Sequence, residues 1–139
     1  MPEDADCLFC KIVALEAPGT IIDADERTVS FMDIYPVTRG HALVVPRNHS
    51  RDIHDIPVED LTAVTRAAQR LAVRARDALG ADGVNLLNFS GRAAWQTIFH
   101  FHLHVIPRYE DDPLRLQWVP GPGDPEEIAA AGELLKGGP

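Results

Sequence analysis

The run His100-Phe101-His102-Leu103-His104-Val105-Ile106-Pro107 constrains what this chain can fold into more than any other segment. Histidine stands at every second position from 100 to 104, with a large apolar residue between each pair. In a β-strand, successive side chains point to opposite faces. The spacing therefore predicts a strand over residues 98–106. It would bury Phe99, Phe101, Leu103 and Val105 and set His100, His102 and His104 in a row on the other face. Neighbours in that row would lie about 7 Å apart. Imidazole is a metal ligand, a nucleophile and a proton carrier near neutral pH, so the row suits metal binding or phosphorus and acyl chemistry. The plainer alternative is a half-buried strand whose wet face happens to carry histidine. Against it, half of the six histidines of the chain fall within five residues.

The remaining pattern predicts the frame around that strand. Leu8, Ile12 and Leu15 at helical spacing give a short helix over 7–15, ended by Pro18-Gly19. Strands over 20–22 and 28–32 flank an acidic turn and form a hairpin. A third strand covers 41–45 and stops at Pro46. The longest helix starts at Pro57. Its stripe of Leu61, Val64, Ala68, Leu71, Ala75 and Leu79 faces a core, and Gly80 caps it. The opposite side, with Arg66, Arg70, Arg74 and Asp77, reads as a solvated face without function. A fourth strand spans 84–88, a loop 90–96 and a terminal helix 125–135, while residues 1–6 read as a disordered lead. Together these predict an α+β fold: a five-stranded antiparallel sheet, one long helix and a short N-terminal helix.

Length and charge narrow the function. A chain of 139 residues is expected to form one domain over 1–139. A net charge of −8 disfavours binding to a nucleic acid backbone, although a local site can still take a small anion. No apolar segment is long enough to span a membrane, and the acidic start lacks the features of a secretory signal. Two cysteines do not make a disulfide scaffold, and the expected compartment is the cytoplasm. Cys7-x-x-Cys10 offers half of a tetrahedral metal site; two buried thiols or a redox pair are the alternatives. His41 belongs either to the outer shell of a site or to a half-buried strand. His54 reads as a surface residue.

The triad segment resembles the signature of the histidine triad (HIT) family, and the likeness extends from about residue 7 to 108, leaving 109–139 as a tail. Cys7-Leu-Phe-Cys10-Lys-Ile is similar to that family's opening, Phe31-Met-Asp33-Ile34 to its ribose-binding strand, and Gly40-His41-Ala-Leu-Val-Val-Pro46 to its third strand. Asn88 and Gln96-Thr97 resemble its phosphate-side polar residues. The Cys-x-x-Cys resembles that of the zinc-carrying bacterial members of the branch that includes purine nucleoside phosphoramidases.

The resemblance implies hydrolysis or transfer at the α-phosphorus of a purine nucleotide derivative. His102 would be the nucleophile, forming a nucleotidyl-histidine whose other nitrogen is held by a carbonyl of the neighbouring strand. His104 would donate to a phosphoryl oxygen, and Gln96 and Thr97 would assist there or at the leaving group, with Asn88 nearby. Asp33 would hold the ribose hydroxyls, and Phe9, Ile12, Phe31 and Ile34 would surround the base. Cys7, Cys10, His49 and His100 would bind a structural zinc; no organic cofactor is expected. The family usually forms homodimers. Splitting of dinucleoside polyphosphates by hydrolysis or phosphorolysis is the neighbouring alternative, for which Arg47, Arg92 and Arg108 could supply cationic groups. A non-catalytic nucleotide- or partner-binding module is the alternative of another class. The chain departs from the family at Trp95, where glycine before the Gln is common and would allow positive φ. It also departs in its tail, where Trp118 could reach a partner's site or pack on its own domain.

Overall fold

The computed structural model of the chain describes residues 6–115 and 118–137, so most of the predicted disordered lead lies outside the described residues. The elements are α1 (Leu8–Val13), β1 (Ile21–Ala24), β2 (Thr28–Met32), β3 (Ala42–Pro46), α2 (Val58–Leu79), β4 (Gly83–Leu87), a 3₁₀ turn (Arg92–Ala94), β5 (Leu103–Arg108) and α3 (Pro125–Lys136). The five strands form one sheet in the order β1-β2-β3-β5-β4. Every neighbouring pair is antiparallel.

Strand β3 lies at the centre and is buried throughout, because both of its faces are covered. Ala42 and Val44 pack with Val64, Ala67, Ala68 and Leu71 of α2 and with Phe101 and Val105. Leu43 and Val45 face the other way, against Phe9 and Ile12 of α1 and Val29 and Phe31 of β2. A strand sandwiched in this way reads as a continuous apolar run rather than an alternating one. The predicted stripe on α2 is the buried one, and Gly80 closes the helix in the left-handed conformation. The arginine face of that helix is not merely solvated. Arg70 pairs with Asp23 and Asp25 at 2.9 Å each, and Arg74 approaches Asp23 at 3.5 Å. Near the start of α2, buried Asp60 takes Arg27 at 2.8 Å. These contacts stitch the β1–β2 hairpin to the helix.

Gly40 seats β3 against the end of that helix. It has φ +88°, and a Cβ there would meet Leu79 Cδ1 at 2.5 Å, so no other residue fits without displacement. The next residue is His41.

The largest departure from the sequence reading concerns the triad strand. β5 begins at Leu103 rather than 98, and residues 100–102 lie outside the ladder. Leu103 and Val105 pack toward α2 and Phe101 is buried, as predicted. Phe99 is not core. It is half-buried beneath the guanidinium groups of Arg51 and Arg92, at 5.3 and 5.4 Å from its ring centre. Once the chain leaves the sheet, the two-residue alternation no longer decides where a side chain points.

Candidate active site and metal centre

Residues 100–102 are fixed by bonds that a strand would not make. The Phe101 N–H donates to the Ser50 carbonyl at 2.6 Å. The Asn88 side-chain amide donates to the His102 carbonyl at 2.9 Å. Ser90 in turn donates to Asn88 Oδ1 at 2.6 Å and accepts from the Ile53 N–H at 3.0 Å. The segment is thus clamped between the loop after β3 and the loop after β4, and each of its imidazoles is turned by a specific bond.

His100 is fully buried, and its Nε2 lies 2.8 Å from the Pro46 carbonyl. A carbonyl only accepts, so Nε2 carries the proton and Nδ1 offers a lone pair. That Nδ1 is 3.3 Å from both Cys7 Sγ and Cys10 Sγ, and His49 Nδ1 is 3.4 Å from Cys10 Sγ. The four ligand atoms all lie within 4.8 Å of one another. Two thiols and two imidazole nitrogens converging on one point form the donor set of a closed tetrahedral zinc site, and the Pro46 carbonyl is the outer partner that orients one ligand. The residues present therefore fit a zinc ion.

His102 is held by its other nitrogen. Its Nδ1 lies 2.8 Å from the His100 carbonyl, so Nδ1 is the donor and Nε2 keeps its lone pair. The acceptor therefore lies on the same segment, two residues back, not on a neighbouring strand as the sequence reading expected. The bend over 98–100 makes this return possible.

His104 takes its orientation from His41. The Val37 N–H donates to His41 Nδ1 at 3.1 Å, so the proton of neutral His41 sits on Nε2. That nitrogen is 2.9 Å from His104 Nδ1 and 3.4 Å from Asp33 Oδ2. His104 Nδ1 is then the acceptor, and its Nε2 carries the hydrogen. The His41 Nε2–H thus faces both His104 Nδ1 and the Asp33 carboxylate.

Burial lowers the basicity of all four of these rings. His100 is pushed down to about 4, chiefly by burial, against the pull of the Pro46 carbonyl. His104 is also pushed down to about 4, by burial first and then by His102 and His41, with Asp33 opposing. His102 and His41 are lowered for the same leading reason. At neutral pH each ring is neutral, the state in which its bonding partner dictates which nitrogen holds the hydrogen.

A cavity of about 450 Å³ opens beside this constellation. His102, His104, Thr97 and Asp33 lie in its wall, and so do the predicted base-pocket residues Phe9, Ile12, Phe31 and Ile34. Asp33 accepts the Tyr35 N–H at 2.8 Å through Oδ1. Two predicted site residues sit elsewhere. Asn88 holds the His102 backbone, as described above. Gln96 is buried, donates to the Arg51 and Ile98 carbonyls at 2.8 and 3.1 Å and accepts from the Gly91 N–H at 2.8 Å, so its amide shapes the loop. No Lys or Arg lines the cavity among the described residues. Arg47 donates to the Asp25 carbonyl, Arg92 covers Phe99, and Arg108 pairs with Asp112 and Asn85. Trp118 is exposed and does not line the cavity.

Sequence reasoning left His41 undecided and missed Phe89, Ser90 and the Pro46 and His100 carbonyls. A backbone acceptor carries no side-chain signature. Only the placement of His41 directly after the constrained glycine hinted at its position.

Comparison with known proteins shows the family. The HIT domain family model matches residues 14–111, and the chain belongs to that family. An uncharacterised HIT-like protein of Mycobacterium tuberculosis is 44% identical over 108 residues, covering 78% of this chain and 75% of its own length. The adenosine 5′-monophosphoramidase HNT1 of Saccharomyces cerevisiae is 39% identical over 108 residues, covering 78% of this chain and 66% of its own length. Among solved structures, a zinc-bound histidine triad protein from Mycobacterium smegmatis superposes with a TM-score of 0.77 at 42% identity, covering 94% of this chain and 96% of that one. SMU.412c from Streptococcus mutans superposes with a TM-score of 0.91 at 32% identity, covering 97% and 86%. The α+β fold with its five-stranded antiparallel sheet is that of these relatives. Among the described residues no helix is long and apolar enough to cross a membrane.

Proposed function

We propose that this protein hydrolyses purine nucleoside 5′-monophosphate derivatives at the α-phosphorus, with a P–N-linked leaving group preferred, and releases the nucleoside monophosphate. The observation that carries this reading is His102: buried in the cavity wall, neutral, with Nδ1 committed to the His100 carbonyl and Nε2 left as a nucleophile. In the first step the Nε2–P bond forms and the bond to the leaving group breaks, its bridging atom taking a proton from solvent as it departs. In the second, water attacks phosphorus, the Nε2–P bond breaks to free His102, and the proton lost by that water returns to solvent. The His104 Nε2–H donates to a phosphoryl oxygen as charge builds there, which fixed donors do without reorganising. Thr97, in the same wall, assists on the leaving-group side. Asp33 takes the ribose hydroxyls and the Phe9, Ile12, Phe31 and Ile34 surface takes the base.

A single phosphate suits this cavity better than a polyphosphate. The three arginines that could have met a longer chain are engaged elsewhere, and no Lys or Arg among the described residues lines the cavity. The relation to the yeast monophosphoramidase points the same way. An intact nucleophile with its tautomer set is more than a binding module needs. Zinc on Cys7, Cys10, His49 and His100 is structural in this reading: bound there, it ties α1 to the catalytic segment, and four protein ligands leave no open position. Cys7 and Cys10 are not joined in a disulfide, and thiol ligands of this kind suit a reducing compartment, the cytoplasm. The protein forms a homodimer through β4. That strand lies at the sheet edge and is exposed at all five positions, including Val84, Leu86 and Leu87, a surface that soluble proteins cover.

The test is AMP release from adenosine 5′-phosphoramidate and from a diadenosine polyphosphate, by wild type and His102→Ala. Turnover of the phosphoramidate is expected to be preferred and to fall by at least about 10⁴-fold in the variant. Preference for the polyphosphate would overturn the substrate class, and undiminished turnover by the variant would overturn the nucleophile.

A further inference from the structure

Trp95 is held in a conformation that a bulky residue adopts at a cost. Its φ is +71° and ψ 25°, in the left-handed region that normally goes to glycine, and Leu15 is the only other described non-glycine residue with positive φ. Burial does not offset that cost, because the side chain is 61% exposed. The backbone there aims the indole at the cavity, of which Trp95 is a lining residue. Its ring stands edge-on to Phe89 at 6.3 Å, and Phe89 lies 5.3 Å from His104. On the nucleobase side, Phe31 stands 5.3 Å from Phe9, and Phe9 stands 5.0 Å from His102. His102 and His104 are 5.1 Å apart. Six rings therefore follow one another along the site in the order Phe31, Phe9, His102, His104, Phe89, Trp95, with the reacting imidazoles in the middle.

This order has a chemical consequence. A substrate whose base rests on Phe9 and Phe31 and whose phosphorus meets His102 projects its leaving group past His104. There it meets a second aromatic wall. From this we infer that Phe89 and Trp95 form a leaving-group subsite that selects a planar aromatic group attached a few bonds from the scissile P–N or P–O bond. The inference rests on the hydrolase reading for the direction of the substrate. It adds that both ends of the substrate are read by stacking. Ring faces reward a planar π-system beyond the apolar area it buries, and an aliphatic group of equal size gains only the area.

The experiment compares two adenosine 5′-phosphoramidates matched in size, the 2-phenylethylamide and the 2-cyclohexylethylamide. Wild type is expected to favour the phenyl compound about five- to tenfold in kcat/KM. Trp95→Gly, which suits the left-handed backbone, is expected to bring that ratio within about twofold while keeping a thermal midpoint no lower than wild type. Trp95→Phe is expected to restore part of the preference. Equal use of the two compounds by wild type, or an unchanged ratio in Trp95→Gly, overturns the subsite. The same pair bound to His102→Ala separates this inference from the hydrolase reading. A phenyl preference in Kd that vanishes in the double variant supports the subsite even if wild type turns over neither compound. Equal Kd values overturn it.

Discussion

His100 and the pair His102–His104 belong to one five-residue run, yet the structure puts them to opposite uses. His100 is pinned at Nε2 by Pro46 and turns Nδ1 to the two cysteines. His102 and His104 are pinned at Nδ1, by the His100 carbonyl and by His41, and turn Nε2 to the cavity side. All three rings are chemically the same and all three are held neutral by burial. In the proposed reading, what separates ligand, nucleophile and donor is which nitrogen a neighbour has already taken. An imidazole in a protein acquires its role from its fixed nitrogen as much as from its position.

Each pinned nitrogen can be released by substitution. On the cavity side, His41→Phe removes the donor that sets the His104 tautomer. The expected outcome is a fall in kcat of about 100-fold with KM little changed, and His41→Gln, which retains an N–H, should recover part of it. Steady-state kinetics on the phosphoramidate check this. Equal losses in both variants would show that His41 merely fills space.

On the ligand side, Cys10→Ala or prolonged chelation should abolish bound zinc, read by metal analysis as a fall from one ion per chain. The thermal midpoint should drop by about 10 °C. Activity should follow the fold rather than vanish at once, since no step uses the metal. Immediate loss of turnover with the midpoint unchanged would instead place the metal in the chemistry.

The smallest effect is expected from pH. His104 titrates at about 4 in the folded chain, and it must be neutral to accept from His41. His104 should therefore add no inflection to kcat/KM at the ordinary histidine value of about 6.5, its own loss falling only toward pH 4. Stability follows the same sign. The unfolded chain binds the proton more readily, so the His104 contribution is complete above about pH 6.5 and is lost as pH falls toward 4. A midpoint that stayed constant across that window in a denaturant series would show that His104 is not shielded.

Much of the fold was legible in the chain because periodic burial writes itself into residue choice. The α2 stripe, the β1–β2 hairpin and the apolar β3 all stand within a residue or two of where the pattern put them. The pattern misled where hydrogen bonding took over from burial. It extended β5 back to residue 98, because Phe99 and Phe101 continue the alternation, whereas Ser50, Asn88 and the His100 carbonyl draw that stretch out of the ladder. Trp95 marked itself as unusual by standing where related chains favour glycine, but not that it would keep the left-handed backbone and face the cavity.

By itself the sequence determined the family, the α+β architecture and the residue types at the site, since these follow from spacing and from the chemistry that imidazole, thiol and carboxylate carry. Only the tertiary structure decided which nitrogen of each histidine is free and that Asn88 and Gln96 brace the segment and the loop beside it. It also decided that Arg47, Arg92 and Arg108 are engaged outside the cavity lining and that Phe89 and Trp95 stand beside His104. Those outcomes depend on backbone carbonyls and on side chains distant in sequence, and neither leaves a trace in local spacing.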